Sequence, residues 1–182
     1  GGELLIGDRA PAAGEVWRNP ALASVFAELA EGGAEAFYSG RSGRAIVEVT
    51  QALDGVLDAE DLSLHRSSFE APISTRYRDY TVYECAPNGQ GLTALLALNL
   101  LEGFDLGTYA ARSAEYLHLL IESLRLAFAD TRWYVADPDF TRVPVEALLS
   151  KSYAEKRRRL IDPAKARMDP RHCLLFTSDA AD

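Results

Sequence analysis

Histidine and cysteine are scarce: the 182 residues hold three of the first and two of the second. His65, His118 and His172 stand apart in the chain, and Cys85 and Cys173 are too distant for metal-type spacing. A disulfide-framed fold is thereby excluded, and a zinc site has no ligand set to rest on. Positive charge is also short, with 19 Lys and Arg against 27 Asp and Glu and a formal net charge of −8. A surface of that sign repels phosphate backbones, so neither nucleic acid nor an anionic membrane is expected as a partner. No apolar run approaches the roughly 18 residues that span a bilayer. No basic start leads into a hydrophobic leader either. Because the sequence begins at Gly1 without an initiator methionine, the want of a leader assigns no compartment.

What is present is ordinary globular material: 48% hydrophobic and 25% charged residues, enough to build a core within one domain. In "NPALASVFAELAEGG", Asn19 is a candidate cap, Pro20 suits the first helical position and Gly32-Gly33 supplies a stop. Leu22, Val25, Phe26 and Leu29 fall on one face of that helix. A short helix, a glycine break and a second helix from about Ser42 to Leu53 follow, and Asp58 opens another. Near Ser68 the character changes. β-Branched and aromatic residues around "YRDY" predict a hairpin of strands from about Glu70 to Arg76 and Tyr80 to Ala86. Helices are then expected from about Gly91 to Glu102 and from Ala114 to Tyr134, the second with Leu117, Leu120, Ile121, Leu124 and Phe128 turned to one side. Val145 to Leu160 reads as two short helices broken near Ser150. The sum is an α+β domain, mostly helical, with a small sheet.

Each stretch able to carry chemistry has a blander reading beside it. "PNGQG", from Pro87 to Gly91, precedes a helix as a phosphate loop does, but no lysine follows and the two glycines miss the dinucleotide spacing. Gln90 occupies the place a nucleophile elbow needs for Ser, Cys or Thr. A steric role is left: Asn88-Gly89 tolerates positive φ, and Gly91 lets the helix start close against the strand. Glu115 and His118 have the spacing of a di-iron half-site. A second such helix is missing, so Glu115, His118, Glu122 and Arg125 read as an exposed face held by side-chain pairing. Asp130, Asp137 and Asp139 could form a carboxylate pair or cation site, yet "ADPDF" reads better as a turn pinned to the core. The run Lys156 to Arg159 beside Glu155 reads as a solvated helix face. No catalytic set can be assembled from these residues.

Five stretches nevertheless stand in a telling order: "GEVWRNPALASVFAELAEGGAEAFYSGRSGRAIVE", "LDAEDL", "PNGQGLTALLALNLLEGFD", "ESLRLAFADTRWYVADPDF" and "VPVEALLSKSYAEKR". Together they resemble the γ-glutamyltranspeptidase family, glutathione hydrolases and related acylases, from about Gly7 to about Asp169. "PNGQG", in place of a Pro-Ser-Ser-Gly-Gly turn, leans toward the acylase branch. The resemblance implies an N-terminal nucleophile hydrolase of αββα type, made as a precursor that cuts itself in two. A threonine at the head of the small subunit attacks a γ-glutamyl amide with its own α-amino group as base, oxyanion donors assist, and no metal or organic cofactor takes part.

Placed on that family, the chain corresponds to the second half of the large subunit. The substrate-gripping arginine is expected before Gly1 and the nucleophile beyond Asp182. Thr177, with five residues after it, cannot substitute. The expectation is therefore that this chain carries no catalytic, cofactor-binding or metal-binding residue and is inactive alone. Its partners would be the small subunit, needed to cover the apolar faces of Leu95 to Leu101 and Leu117 to Phe128, and in the whole enzyme a γ-glutamyl or related acyl amide. Residues 1–171 form the family-like part. Residues 172–182, "HCLLFTSDAAD", resemble translated sequencing-adaptor read-through and are expected to be non-native. Alternatives are a non-catalytic helical interaction module of the same family, or a metal-carboxylate protein built on Glu115 and His118.

Overall fold

A computed structural model describes residues 4–169 and 171; the tail singled out above lies outside them. The described residues divide into two compact units, with the boundary between Ser68 and Phe69.

The first unit is helical. α1 (Pro20–Tyr38) starts where the sequence puts it: the Asn19 side chain accepts from the Leu22 amide at 2.9 Å, and Pro20 occupies the first turn. The expected stop is a break at Gly33, whose φ of 64° and ψ of −159° interrupt the helix before it resumes to Tyr38. α2 (Arg41–Ala52) returns against it, tied by Arg41 to Glu28 at 2.5 Å and by the Ser42 hydroxyl to the same carboxylate at 3.0 Å. α3 (Ala59–Leu64) has a reciprocal cap, in which Asp58 accepts from the Asp61 amide and Asp61 accepts from the Asp58 amide. α1 has no buried residue: Leu22 and Phe26 are exposed, while Val25 and Leu29 are half-buried.

The second unit is built around one helix. β1 (Ile73–Tyr77) and β2 (Tyr80–Glu84) pair antiparallel, Ile73 opposite Glu84 and Tyr77 opposite Tyr80. Both strands are shorter than expected at their outer ends. Pro72 cannot donate to the ladder, and past Glu84 the chain turns toward Pro87. Side chains alternate across the hairpin, so Ile73, Thr75 and Tyr77 face inward and Ser74 and Arg76 face solvent.

α4 (Gly91–Leu101) packs against the hairpin, α5 (Ala114–Tyr134), α6 (Val145–Leu149) and α7 (Lys151–Arg158). Eight of its eleven residues are buried, as an all-round apolar helix requires. One cluster joins Leu92, Leu96 and Ala97 to Ala127, Leu148 and Tyr153. The other joins Leu100 and Leu101 to Leu106, Leu119, Leu126 and Ile161. The expectation that Leu95 to Leu101 needs a partner for burial is thus corrected: this chain encloses α4 by itself.

The periodicity of α5 also misled. Its inward residues are Leu119, Glu122, Ser123, Leu126, Ala127, Asp130 and Thr131. Of the predicted face, Leu120 is half-buried against the second cluster and Phe128 is half-buried, but Leu117, Ile121 and Leu124 are 42%, 53% and 41% exposed. The more apolar stripe points outward because Glu122, Asp130 and Thr131 on the inward face find partners from distant segments.

Candidate functional site

At the turn between β2 and α4, Gly91 is where space is tight. A Cβ there would lie 2.7 Å from the Glu84 Cβ and 3.2 Å from the Cys85 carbonyl oxygen, so the helix starts hard against the strand, as expected. The other half of that reading is corrected. Neither Asn88 nor Gly89 has positive φ, and a Cβ on Gly89 would meet nothing within 4 Å.

Beyond the turn, Ala86 and Pro87 line an open cleft of about 470 Å³ together with Glu70, Pro138 to Val143 and Val145. Two stretches singled out separately in the sequence, "PNGQG" and "ADPDF", therefore meet. Asp137 organises the second: its carboxylate accepts from the Asp139 amide at 2.9 Å, and its carbonyl accepts from the Phe140 and Thr141 amides. The charged groups lining the cleft are Glu70, Asp139 and Arg142.

Polar side chains fasten α4 in place. Asn99 is fully buried. Its Oδ1 accepts from the Thr75 hydroxyl at 2.7 Å and from Lys151 Nζ at 2.7 Å, and its Nδ2 donates to the Leu149 carbonyl at 3.0 Å. Lys151 also donates to the Arg76 carbonyl at 2.5 Å and to Glu102 at 2.7 Å. Glu102 accepts from the Arg78 amide as well. The Lys151 hydrogen bond, then that amide, hold its carboxyl below the ordinary carboxylate range. One ammonium and one carboxamide so join β1, α4, α6 and α7.

The basic run is corrected in the same way. Lys156 and Arg159 are exposed, but Arg157 is 3% exposed and grips Asp130 through two hydrogen bonds of 3.0 and 2.9 Å. Arg158 donates to the Asn99 and Leu100 carbonyls, closing the C-terminal end of α4. Asp130 therefore does not join Asp137 and Asp139 in a carboxylate group. Nor is Glu122 on an exposed face: it is 2% exposed, pairs with Arg125 at 2.6 Å and accepts from the Arg167 amide. His118 Nε2 lies 2.8 Å from the Asp162 carbonyl oxygen, and Glu115 accepts locally at the start of α5, which lowers its pKa. Among the described residues no three His, Cys, Asp or Glu side chains are grouped to hold a metal.

Sequence reasoning passed over Asn99 and Lys151 and placed Arg157 on a solvated face. One signal was available. Asn99 is the lone amide in "GLTALLALNLL", and a polar group inside an all-apolar helix must find partners.

With this geometry in place, the comparisons with known proteins are specific. A model of the family described as Gamma-glutamyltranspeptidase matches residues 4–179. The chain belongs to the γ-glutamyltranspeptidase family. It is 39% identical to the glutathione hydrolase-like YwrD proenzyme of Bacillus subtilis (strain 168), over 81% of this chain and 28% of that protein. It is 40% identical to the acylase ACY 1 proenzyme of Pseudomonas sp. (strain V22), over 76% of this chain and 25% of that protein. Among solved structures it resembles the Helicobacter pylori γ-glutamyltranspeptidase, with TM-score 0.73 and 26% identity over 93% of this chain and 49% of that one. It also resembles the cephalosporin acylase of Bacillus halodurans, with TM-score 0.68 and 42% identity over 85% and 28%. The fold is accordingly α+β, of the N-terminal nucleophile hydrolase kind. The chain spans about a quarter of the length of the curated relatives it matches. Among the described residues no helix is long and apolar enough to cross a membrane.

Proposed function

We propose that this chain is a scaffold portion of a precursor whose mature form hydrolyses or transfers γ-glutamyl or related acyl groups. The observation that carries this reading is the identity of 39% to a glutathione hydrolase-like proenzyme combined with a span of 28% of its length. In this reading the reactive threonine lies outside the 182 residues. Its hydroxyl attacks the amide carbonyl while its own α-amino group takes the proton; that proton passes to the departing amine as the C–N bond breaks, and water or an acceptor amine then releases the acyl group from the threonine ester. The present chain contributes no reacting atom. Its part is rigidity: α4, pinned by Asn99, Lys151 and Arg158, holds the hairpin and the Ala86–Pro87 turn at a fixed distance from α5 and α7.

Processing tests this reading. Expression of the complete coding sequence is expected to yield two chains, and N-terminal sequencing of the smaller should return threonine. A single uncut chain, or a new N-terminus without a hydroxyl or thiol side chain, would count against it. The second reading, a non-catalytic module, draws on one observation: the second unit closes two apolar clusters without outside help. A native coding sequence confined to these residues would favour it.

A further inference from the structure

Intramolecular attack on an asparagine needs a freely turning carboxamide and an unengaged nitrogen in the next residue. The chain holds three asparagines, and two fail that test. Asn19 has its side chain held by the Leu22 amide, and the Pro20 nitrogen after it carries no hydrogen to give up. Asn99 is buried with three hydrogen bonds, and Leu100 after it lies inside α4. Asn88 differs on each count. It is exposed, and among the described residues no hydrogen bond engages its side chain or the Gly89 amide. A Cβ on Gly89 would meet nothing within 4 Å, so no neighbour obstructs the approach of that nitrogen to the carboxamide.

We propose that Asn88 is a self-modification site, at which the turn converts its own carboxamide to a carboxylate. The Gly89 nitrogen gives up its proton and attacks Asn88 Cγ. The bond from Cγ to the side-chain nitrogen breaks, and ammonia leaves with that proton. Water then opens the resulting five-membered succinimide, at Cγ to give aspartate or at the main-chain carbonyl to give isoaspartate. The balance is one carboxamide and one water for one carboxylate and one ammonium ion. Asp54-Gly55, which could form the same ring, shows how the fold prevents it. The Gly55 amide donates to the Thr50 carbonyl at 2.8 Å, and a Cβ on Gly55 would strike the Thr50 side chain. At Asn88 the product charge lies just ahead of α4, where the helix dipole favours an anion. Isoaspartate also inserts a methylene into the main chain between Pro87, which lines the cleft, and Gly91, which is packed on Glu84.

Peptide mapping by mass spectrometry tests this on the 182-residue chain, held for days in mildly alkaline buffer with and without urea and then digested in acid. In native buffer the Asn88 peptide is expected to gain about 1 Da and to split into two chromatographic forms. Its rate should stay within about tenfold of the rate in urea, because the fold leaves the reacting atoms free. The Asn19 and Asn99 peptides should keep their mass. Asp54 isomerisation, seen as a split without a mass change, should be slowed by the fold more than about tenfold. Gly89→Ala, a substitution with open space around it, is expected to slow the Asn88 reaction at least about tenfold by hindering the attacking nitrogen. An Asn88 peptide that keeps its mass in native buffer overturns the inference. Equal slowing at Asn88 and Asp54, large or absent, overturns it as well, since the reaction then belongs to the unfolded chain. Conversion of Gly89→Ala as fast as the parent does the same.

Discussion

At Asn99 a carboxamide sits with no exposed surface in the middle of an apolar helix, and its three hydrogen bonds make it the joint of the second unit. A buried polar group without partners destabilises a fold, whereas a satisfied one fixes a single arrangement. Asp130 and Arg157 follow the same logic with charge: each would be costly alone, and together they lock α5 to α7. Glu102 is the titratable member of this set. Because its pKa is held below the ordinary 4.5 by Lys151 and the Arg78 amide, its contribution is present above pH 4.5 and fades as pH falls through its lowered value. Urea unfolding should show Glu102→Gln less stable than the parent at pH 7, with the gap closing below pH 4.5; a gap unchanged down to about pH 3 would contradict this linkage. The turn glycines divide by available space. Gly91→Ala is expected to lose about 1–3 kcal/mol by driving a Cβ into Glu84. Gly89→Ala, with open space around it, should stay within roughly 0.5 kcal/mol of the parent in the same measurement.

Among the elements, the sequence was legible where local rules decide and opaque where distant partners do. Caps at Asn19 and Asp58, the break at Gly33 and the helix start at Gly91 all follow from neighbouring residues. The faces of α5 do not. Hydrophobic periodicity selects the Leu117 to Phe128 stripe, but Asp130 is compensated by Arg157, 27 residues later, and Glu122 by the Arg167 amide, 45 residues later. A one-dimensional pattern cannot register such a partner. The same limit hid the cleft, since Pro87 and Phe140 are neighbours only after α4 and α5 have folded the chain back. Truncations separate the two faces of α5: Leu126→Ala should cost about 2–5 kcal/mol. Leu124→Ala, on the outward side, should cost under about 1 kcal/mol in the 182-residue chain. Equal losses at the two positions would mean that the faces have been exchanged.

For the whole molecule, family and chemistry separate. Five ordered stretches suffice to place the chain among γ-glutamyltranspeptidases and acylases, and both the family match and the solved neighbours agree. Within the second unit, Asn99, Lys151, Asp130 and Arg157 hold elements to one another. Scaffold and chemistry would then reside in different stretches of one precursor. The most direct test compares γ-glutamyl anilide hydrolysis by the purified 182-residue chain and by the complete precursor under identical conditions. The precursor should turn over substrate and the chain should stay at the buffer rate; sustained turnover by the chain, proportional to its concentration and retained through purification, would contradict the assignment of the reactive group to residues outside it.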